Sequence, residues 1–282
     1  MEIILAESAG YCFGVRRALD KVYEQIDKGG KRRIYTYGPI IHNREVVREL
    51  EEKGVFSINS PGEIPEIAGQ IMIIRSHGAG RHIYELAGEY DIELVDATCP
   101  YVKKIHRIVE ADDAAGRQIV IAGDKNHPEV AGISGWAKKE ACVIAGPDCM
   151  DVLESYKNTP LTLVSQTTFN ASKFEYIVEK INEKGYDVRI VNTICSATAL
   201  RQKEASQIAR KADTMIVIGD KQSSNTRKLF EICSSYCKDT YHIQTVEELQ
   251  VPNLQSLTCV GITAGASTPD HIIQEVLMYA RG

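Results

Sequence analysis

Three cysteines, Cys12, Cys99 and Cys195, lie 87 and 96 residues apart, and each closes an apolar run: IILAESAGYC, IELVDATC and VRIVNTIC. Taken singly, each suits a small buried hydrophobe as well as a ligand. As equivalents in a repeat they converge, and three converging thiols can bind a metal. The spacing fits no local zinc or ferredoxin motif, where ligands fall within a few residues of one another. Thiolates select iron–sulfur clusters, zinc or copper(I). A cubane held by three cysteines leaves one iron without a protein thiolate, able to bind a substrate oxygen and to pass electrons. Zinc with three thiolates and an open position is the competing arrangement. Cys142, Cys149, Cys233, Cys237 and Cys259 do not follow the repeat. Cys233 and Cys237, four residues apart on an expected helix, could pair on a metal, but plain packing is the simpler reading for all five.

Two polar elements recur behind each cysteine. His42-Asn43 comes 30 residues after Cys12, His127-Pro128-Glu129 begins 28 after Cys99, and Ser223-Ser224-Asn225 begins 28 after Cys195. His77, Thr167 and Thr263 follow at offsets of 65, 68 and 68, within RSHG, SQTT and TAGAS. Together these elements offer His42, His77, His127, Thr167, Thr168, Ser223, Ser224, Asn225 and Ser267, with Arg75 as the only cation. Histidines, hydroxyls and amides beside helix N-termini make an anion pocket, because free N–H groups and the helix dipole both favour negative charge. Any one Ser, Thr or Asn could instead be an ordinary helix cap. Thr268-Pro269-Asp270 reads as a cap with Pro at the first helical position, which puts Ser267 at a helix start. Glu129 is the only carboxylate in this set. Beside an anion its pKa should rise, so it could hold a proton near neutral pH. Its bland alternative is a first-turn acid that suits the helix dipole.

Each of these elements follows a strand-like run and precedes a helix-like one. The second elements follow RIYTYG, QIVIAG and TMIVIG, and the third follow QIMII, LTLV and CVGI. After Cys12, Val15, Leu19, Val22 and Ile26 form one apolar face. Val102, Ile105, Ile108 and Val109 do so after Cys99. Each third of the chain therefore reads strand–Cys–helix, strand–polar–helix, strand–polar–helix. Alternation of this kind implies parallel α/β packing, with functional groups at the carboxyl ends of the strands. The expected architecture is three similar α/β domains in a pseudo-threefold trefoil aimed at one central site. The boundaries are 14–98, 99–193, and 194–282 together with 1–13, so that the first strand joins the last third. One larger doubly wound domain with accidental spacing is the alternative.

Composition narrows the function. The chain of 282 residues is 44% hydrophobic and 25% charged, as expected of a globular protein that buries a full core. A net charge of −5 provides no basic excess for a nucleic-acid backbone, yet leaves room for one small anion pocket. No apolar run approaches the ~20 residues of a membrane span. MEIILAESAG lacks a basic n-region, so no signal peptide is expected. The expected location is cytoplasmic, where eight cysteines serve as ligands, catalysts or packing rather than as disulfides.

The segments GYCFGVRRA, YGPIIHNREVV, RSHGAG, VDATCPYVKKIH, GDKNHPEVAG, SQTTFN, TICSATALRQ, SSNTRKL and GITAGASTPD run in order from residue 10 to residue 270. Together they resemble the 4-hydroxy-3-methylbut-2-enyl diphosphate reductases, the IspH or LytB family. The resemblance implies a trefoil around a [4Fe–4S] cluster and the last step of the methylerythritol phosphate pathway. There an allylic diphosphate takes up two electrons and two protons and loses water, giving isopentenyl and dimethylallyl diphosphates. It implies Cys12, Cys99 and Cys195 as cluster ligands. It implies His42, His77, His127, Ser223, Ser224, Asn225 and Ser267 as the diphosphate site. Glu129 becomes the proton source, with Thr167 and Thr168 beside it near the substrate hydroxyl. The implied partner is an electron donor such as ferredoxin or flavodoxin. Two positions depart from the pattern: Gln222 stands where Asn is familiar, and Trp136 follows Glu129 in an unfamiliar context.

Two rivals stay open on the residues alone. An iron–sulfur hydro-lyase would want Arg forks for carboxylates, and only Arg75 is at hand. A non-enzymatic cluster protein would need neither the polar set nor the lone acid. If the cysteine triad is right, Cys99→Ser lowers iron content and abolishes turnover, whereas Cys142→Ser and Cys149→Ser leave both largely intact. Iron analysis of the three anaerobically isolated variants checks this, and full loading of Cys99→Ser would refute it.

Overall fold

Runs that are apolar along most of their length suit strands covered on both faces, as the inner strands of a parallel sheet are. IMII, QIVIA, LTLVS, TMIVI and CVGITA behave in this way. In a computed structural model, which describes residues 1–251 and 254–282, they form strands whose residues are all buried. The strands are β1 (Glu2–Leu5), β2 (Ile34–Tyr37), β3 (Val55–Ile58), β4 (Ile71–Ile74), β5 (Glu93–Asp96) and β6 (Gln118–Ala122). They continue as β7 (Cys142–Ile144), β8 (Leu161–Ser165), β9 (Val188–Ile190), β10 (Thr214–Ile218), β11 (Asp239–Ile243) and β12 (Cys259–Ala264). The helices are α1 (Phe13–Lys28), α2 (Arg44–Glu52), α3 (Arg81–Glu89), α4 (Pro100–Ala114) and α5 (Pro128–Ser134). After them come α6 (Ala171–Glu183), α7 (Ser196–Ala209), α8 (Ser224–Tyr236) and α9 (Asp270–Arg281).

Three four-stranded sheets result, in the orders β3-β2-β4-β5, β7-β6-β8-β9 and β11-β10-β12-β1. Every pairing is parallel. The order is the same each time: an edge strand, the two strands that lead to the polar elements, then the strand that leads to a cysteine. β1 takes the place in the third sheet that β5 and β9 take in the others, with Leu5 opposite Ile262. This agrees with the expectation of three similar α/β sheets. The chain divides into two compact units. One comprises Met1–Arg16, His42–Val46 and Cys195–Gly282, and holds the third sheet. The other comprises Arg17–Ile41 and Val47–Ile194, and holds the other two.

Helices cover both faces of the third sheet. Ile216 and Ile218 of β10 pack with Ile272, Ile273 and Val276 of α9. Met215 and Val217, which alternate with them, pack with Ala205 and Ile208 of α7 and Leu229 and Cys233 of α8. β6 splits likewise. Ile119 and Ile121 meet Ile105 and Val109 of α4 and Val130 and Ile133 of α5. Val120 and Ala122 meet Phe174, Ile177 and Ile181 of α6. Cys142 and Cys233 are core residues of these clusters.

Two local expectations change. Each third of the sequence reads as three strands, but each sheet has four. The additional ones, β3, β7 and β11, are short edge strands, and their runs VFSI, CVI and DTYHI carry no motif. Pro269 is the N-cap of α9, with extended backbone (ψ 146°), so the helix starts one residue later, at Asp270.

Where the cysteine strands stop, the chain stays tied to the neighbouring strand. The Cys99 amide donates to Ser76 O at 3.0 Å, and the Cys12 amide to Ala266 O at 3.2 Å. After β9 a side chain takes over. Thr193 Oγ1 accepts from Ser165 N at 2.7 Å and contacts Ser165 O at 2.6 Å, imitating a ladder pair. Thr193→Val keeps the shape and removes both bonds. We expect it to lower stability by about 1–3 kcal/mol, the cost of a buried donor and acceptor left unpaired. Urea unfolding measures this, and an unchanged midpoint would contradict the tie.

Candidate active site

All three cysteines of the repeat open a helix. The carbonyls of Cys12, Cys99 and Cys195 accept from the amides of Arg16, Lys103 and Ala199 at 3.0, 3.0 and 2.9 Å. The Cys99 and Cys195 side chains do not cap their helices, and each stands at a helix N-terminus. All three residues are half-buried. Cys142, Cys233, Cys237 and Cys259 are buried, and burial raises their thiol pKa values, that of Cys233 to about 12. They are held as neutral thiols. Thiols are the donor type that an iron–sulfur or zinc centre takes; Cys12 and Cys195 belong to the unit that holds the third sheet and Cys99 to the other.

In the unit that holds the third sheet, His42, Ser223, Ser224, Asn225 and Ser267 are fastened by neighbours. Ser267 Oγ donates to His42 O at 2.9 Å, and Asn43 Nδ2 donates back to Ser267 O at 3.0 Å. Arg44 N reaches the carboxylate of buried Asp220 at 3.2 Å. Ser223 caps α8 by accepting from Thr226 N at 3.3 Å. Asn225 is buried in the first turn of that helix, and its Nδ2 has no hydrogen-bond partner. An orphaned buried amide costs about 1–3 kcal/mol, and an anionic oxygen would satisfy it. Gly219 precedes this loop with φ +144°, and a Cβ there would stand 2.7 Å from Thr268 Oγ1.

In the other unit lie Cys99, His77, His127, Glu129, Thr167 and Thr168. His127 caps α5: its Nδ1 accepts from Glu129 N at 3.1 Å. Its ring meets that of His77 edge-on, with centroids 5.4 Å apart. Glu129 is only 2% exposed. Its Oε1 accepts from Thr167 N at 2.6 Å and its Oε2 from Thr167 Oγ1 at 2.8 Å. Burial raises its pKa from 4.5 to about 7, and the two bonds from Thr167 hold it from going higher. The carboxyl therefore turns inward to Thr167 and does not spend itself on the helix dipole. Thr168 is held by Gln166 Nε2 at 2.9 Å.

Several supporting residues escaped the sequence reading. Asp124 and Asp220 each accept from the amide two residues on, Asn126 at 3.0 Å and Gln222 at 2.7 Å. Each thereby builds the turn that leads to His127 or Ser223. A signal was present: GDK recurs with its Asp 25 residues after Cys99 and again after Cys195. Gln166 joins two loops by accepting from Asp124 N at 3.1 Å. Gln222, flagged as a departure, contributes its backbone to the turn while its side chain is exposed. Trp136, the other departure, donates to Ala79 O at 3.0 Å and stacks on His106 at 5.1 Å. It thus braces the loop after His77, where Gly78 (φ +77°) leaves no room for a Cβ against His106. Arg75, the single nearby cation in the sequence reading, is spent on packing, with its guanidinium 5.9 Å from the Tyr37 ring and against Gly38.

Fold and site define a class: an α/β protein that repeats one parallel sheet three times and opens a helix with a cysteine beside each. The chain belongs to the LytB protein family, whose model matches residues 3–281. Relatives carry the name 4-hydroxy-3-methylbut-2-enyl diphosphate reductase. One, from Caldanaerobacter subterraneus subsp. tengcongensis, is 45% identical over 98% of this chain and 96% of its own. One from Clostridioides difficile is 42% identical over 99% of each. The fold is similar to the solved reductase of Plasmodium falciparum, with TM-score 0.91 and 31% identity over 99% of this chain and 87% of that one. A second solved reductase, described as the terminal enzyme of the non-mevalonate pathway, has TM-score 0.71 and 40% identity over 100% and 99%.

Glu129 should leave a trace in stability. With its pKa raised from 4.5 to about 7 on folding, the native state binds more protons than the unfolded state between those values. Stability then falls as pH rises from 4.5 to 7 and levels off above. Relative to Glu129→Gln, the natural protein should lose up to about 3 kcal/mol across this window, at 1.36 kcal/mol per unit. Denaturant titrations at pH 5 and pH 8 test it, and parallel pH profiles for the two proteins would refute it.

Proposed function

We propose that this chain reduces 4-hydroxy-3-methylbut-2-enyl diphosphate to isopentenyl and dimethylallyl diphosphates, as the last step of the methylerythritol phosphate pathway. The family and the names of its relatives support the reaction class. The observation that carries it is the buried Glu129–Thr167 pair, an acid able to hold its proton at neutral pH. No helix among the described residues is long and apolar enough to cross a membrane, and we place the enzyme in the cytoplasm. We also take the three divisions of the chain, 14–98, 99–193 and 194–282 with 1–13, as equivalent domains.

Cys12, Cys99 and Cys195 would hold a [4Fe–4S] cluster, which when bound supplies electrons one at a time and a Lewis-acidic iron. A ferredoxin or flavodoxin would refill it. His42, His77, His127, Ser223, Ser224, Asn225 and Ser267 bind the diphosphate. The unpaired Asn225 Nδ2 and the N-terminus of α8 suit its charge. The allylic hydroxyl cannot leave as hydroxide at any useful rate, so it must be protonated. Thr167 Oγ1 can pass its own proton to that oxygen and take one from Glu129 Oε2, 2.8 Å away. Thr168, held by Gln166 Nε2, would lie beside this pair near the substrate. Overall, two electrons and two protons enter and one water departs.

Glu129→Gln keeps the shape, so the variant should still load iron and bind substrate. Turnover should fall by about two to four orders of magnitude, the usual share of general-acid catalysis. Anaerobic steady-state kinetics with a reduced dye decides it. A kcat near that of the natural protein would overturn the assignment of Glu129.

A further inference from the structure

Helix α7 opens at Cys195 and reaches back, through two charged side chains, to the loop that leads into Cys12. Glu204 accepts from Glu7 N at 2.7 Å, from Ser8 N at 3.0 Å and from the Ser8 hydroxyl. Arg201 donates Nη2 to Gly10 O at 2.6 Å and Nη1 to Ala197 O at 3.5 Å. Gly10 lies two residues before Cys12, and Ala197 two residues after Cys195. One guanidinium therefore joins the approach to one thiol with the helix opened by the other.

The position is costly. Arg201 is 4% exposed, and its Nε is buried without a hydrogen-bond partner. A guanidinium cannot shed its proton to escape burial. A buried charge held mainly by two carbonyls needs negative charge nearby. Burial pulls Arg201 below its usual range, and the sulfurs of Cys12 and Cys195, then Glu204, draw it back. The other two cysteine helices carry Ala18 and Ile105 six residues after their cysteines, where α7 carries Arg201. A structural clamp alone would not require a buried charge at this junction.

We propose that Arg201 is a positioning residue for the metal centre: it pins the Cys12 loop to the Cys195 helix and buries a fixed positive charge at that junction. The inference rests on the reading that these cysteines hold an iron–sulfur cluster. A cation at that place favours the reduced, more negative state of the cluster and holds two of its ligands in register.

The test compares the natural protein, Arg201→Met and Arg201→Lys after anaerobic reconstitution. Redox titration followed by electron paramagnetic resonance gives the midpoint potential, and uptake by a ferrous chelator gives the rate of iron release. For Arg201→Met the reduced-to-oxidised ratio at the natural midpoint should fall about tenfold, which is about 59 mV for a one-electron couple. Iron release should quicken by roughly tenfold. Arg201→Lys keeps the charge but lacks the two-armed fork. Its midpoint should stay near the natural value while iron release quickens. A Met variant with natural midpoint and natural release overturns the proposal. If the Met variant does not fold, a Lys variant with natural release overturns the pinning. A natural protein that takes up no cluster at all would instead sink the reading on which the proposal rests.

Discussion

In a parallel sheet every strand ends on the same side, and the last amides and carbonyls of adjacent strands have no further ladder to join. Those groups must be satisfied if they are buried. Here each loop satisfies them on the next loop. The Cys99 amide goes to Ser76 O, the Cys12 amide to Ala266 O, and Thr193 covers both polar groups of Ser165. The acceptors directly precede His77, Ser267 and the Gln166-Thr167 pair. A cysteine is thus hung beside the polar element of its own sheet by the same bond that closes the sheet. The placement of these side chains depends on this arrangement, which side-chain bonds such as Gln166 to Asp124 N and Ser267 to His42 O reinforce.

The same constraint explains why so much of the fold was legible. A strand, a turn and a helix start repeat wherever a functional element is wanted, so the elements advertise themselves by their offsets. All nine strands that precede a cysteine or a polar element are present, and β1 joins β12 as the offset series requires. The edge strands β3, β7 and β11 were not legible because no chemistry hangs from them. An edge strand needs only one paired side, and three to five residues with mixed exposure suffice. Pro269 misled by one residue because its fixed φ fits both a first helical position and the extended residue before it.

At the site, residue types were legible and the supports were not. Asn43, Asp220, Gln166, Glu204 and Arg201 all act on backbone groups: Ser267 O, Arg44 N, Asp124 N, Ser8 N and Gly10 O. Several polar residue types can reach a backbone group, and the partner lies far along the chain, so no spacing rule marks the pair. The GDK turns are the exception. There the partner is two residues away, and the geometry repeats with the sequence.

Glu129 shows how fine the balance at such a site must be. Burial alone would drive the carboxyl far toward neutrality, and a permanently neutral acid would give up its proton too reluctantly to help a leaving group. Two donors from one residue, Thr167 N and Oγ1, favour the charged form and hold the pKa near 7. One of them is a hydroxyl, which can turn and accept once Glu129 is protonated; the amide cannot. The pair therefore has two hydrogen-bonded states with the same heavy-atom positions, and shifting between them requires only that a proton move and an O–H rotate. A diphosphate bound nearby would raise the carboxyl pKa further, so arrival of the substrate's charge favours the protonated state needed for the hydroxyl to depart. On the proposed reading the ligand would thus load the acid with the proton that its own reaction uses, and the low dielectric that makes this coupling strong is supplied by the same burial that raised the pKa at the outset.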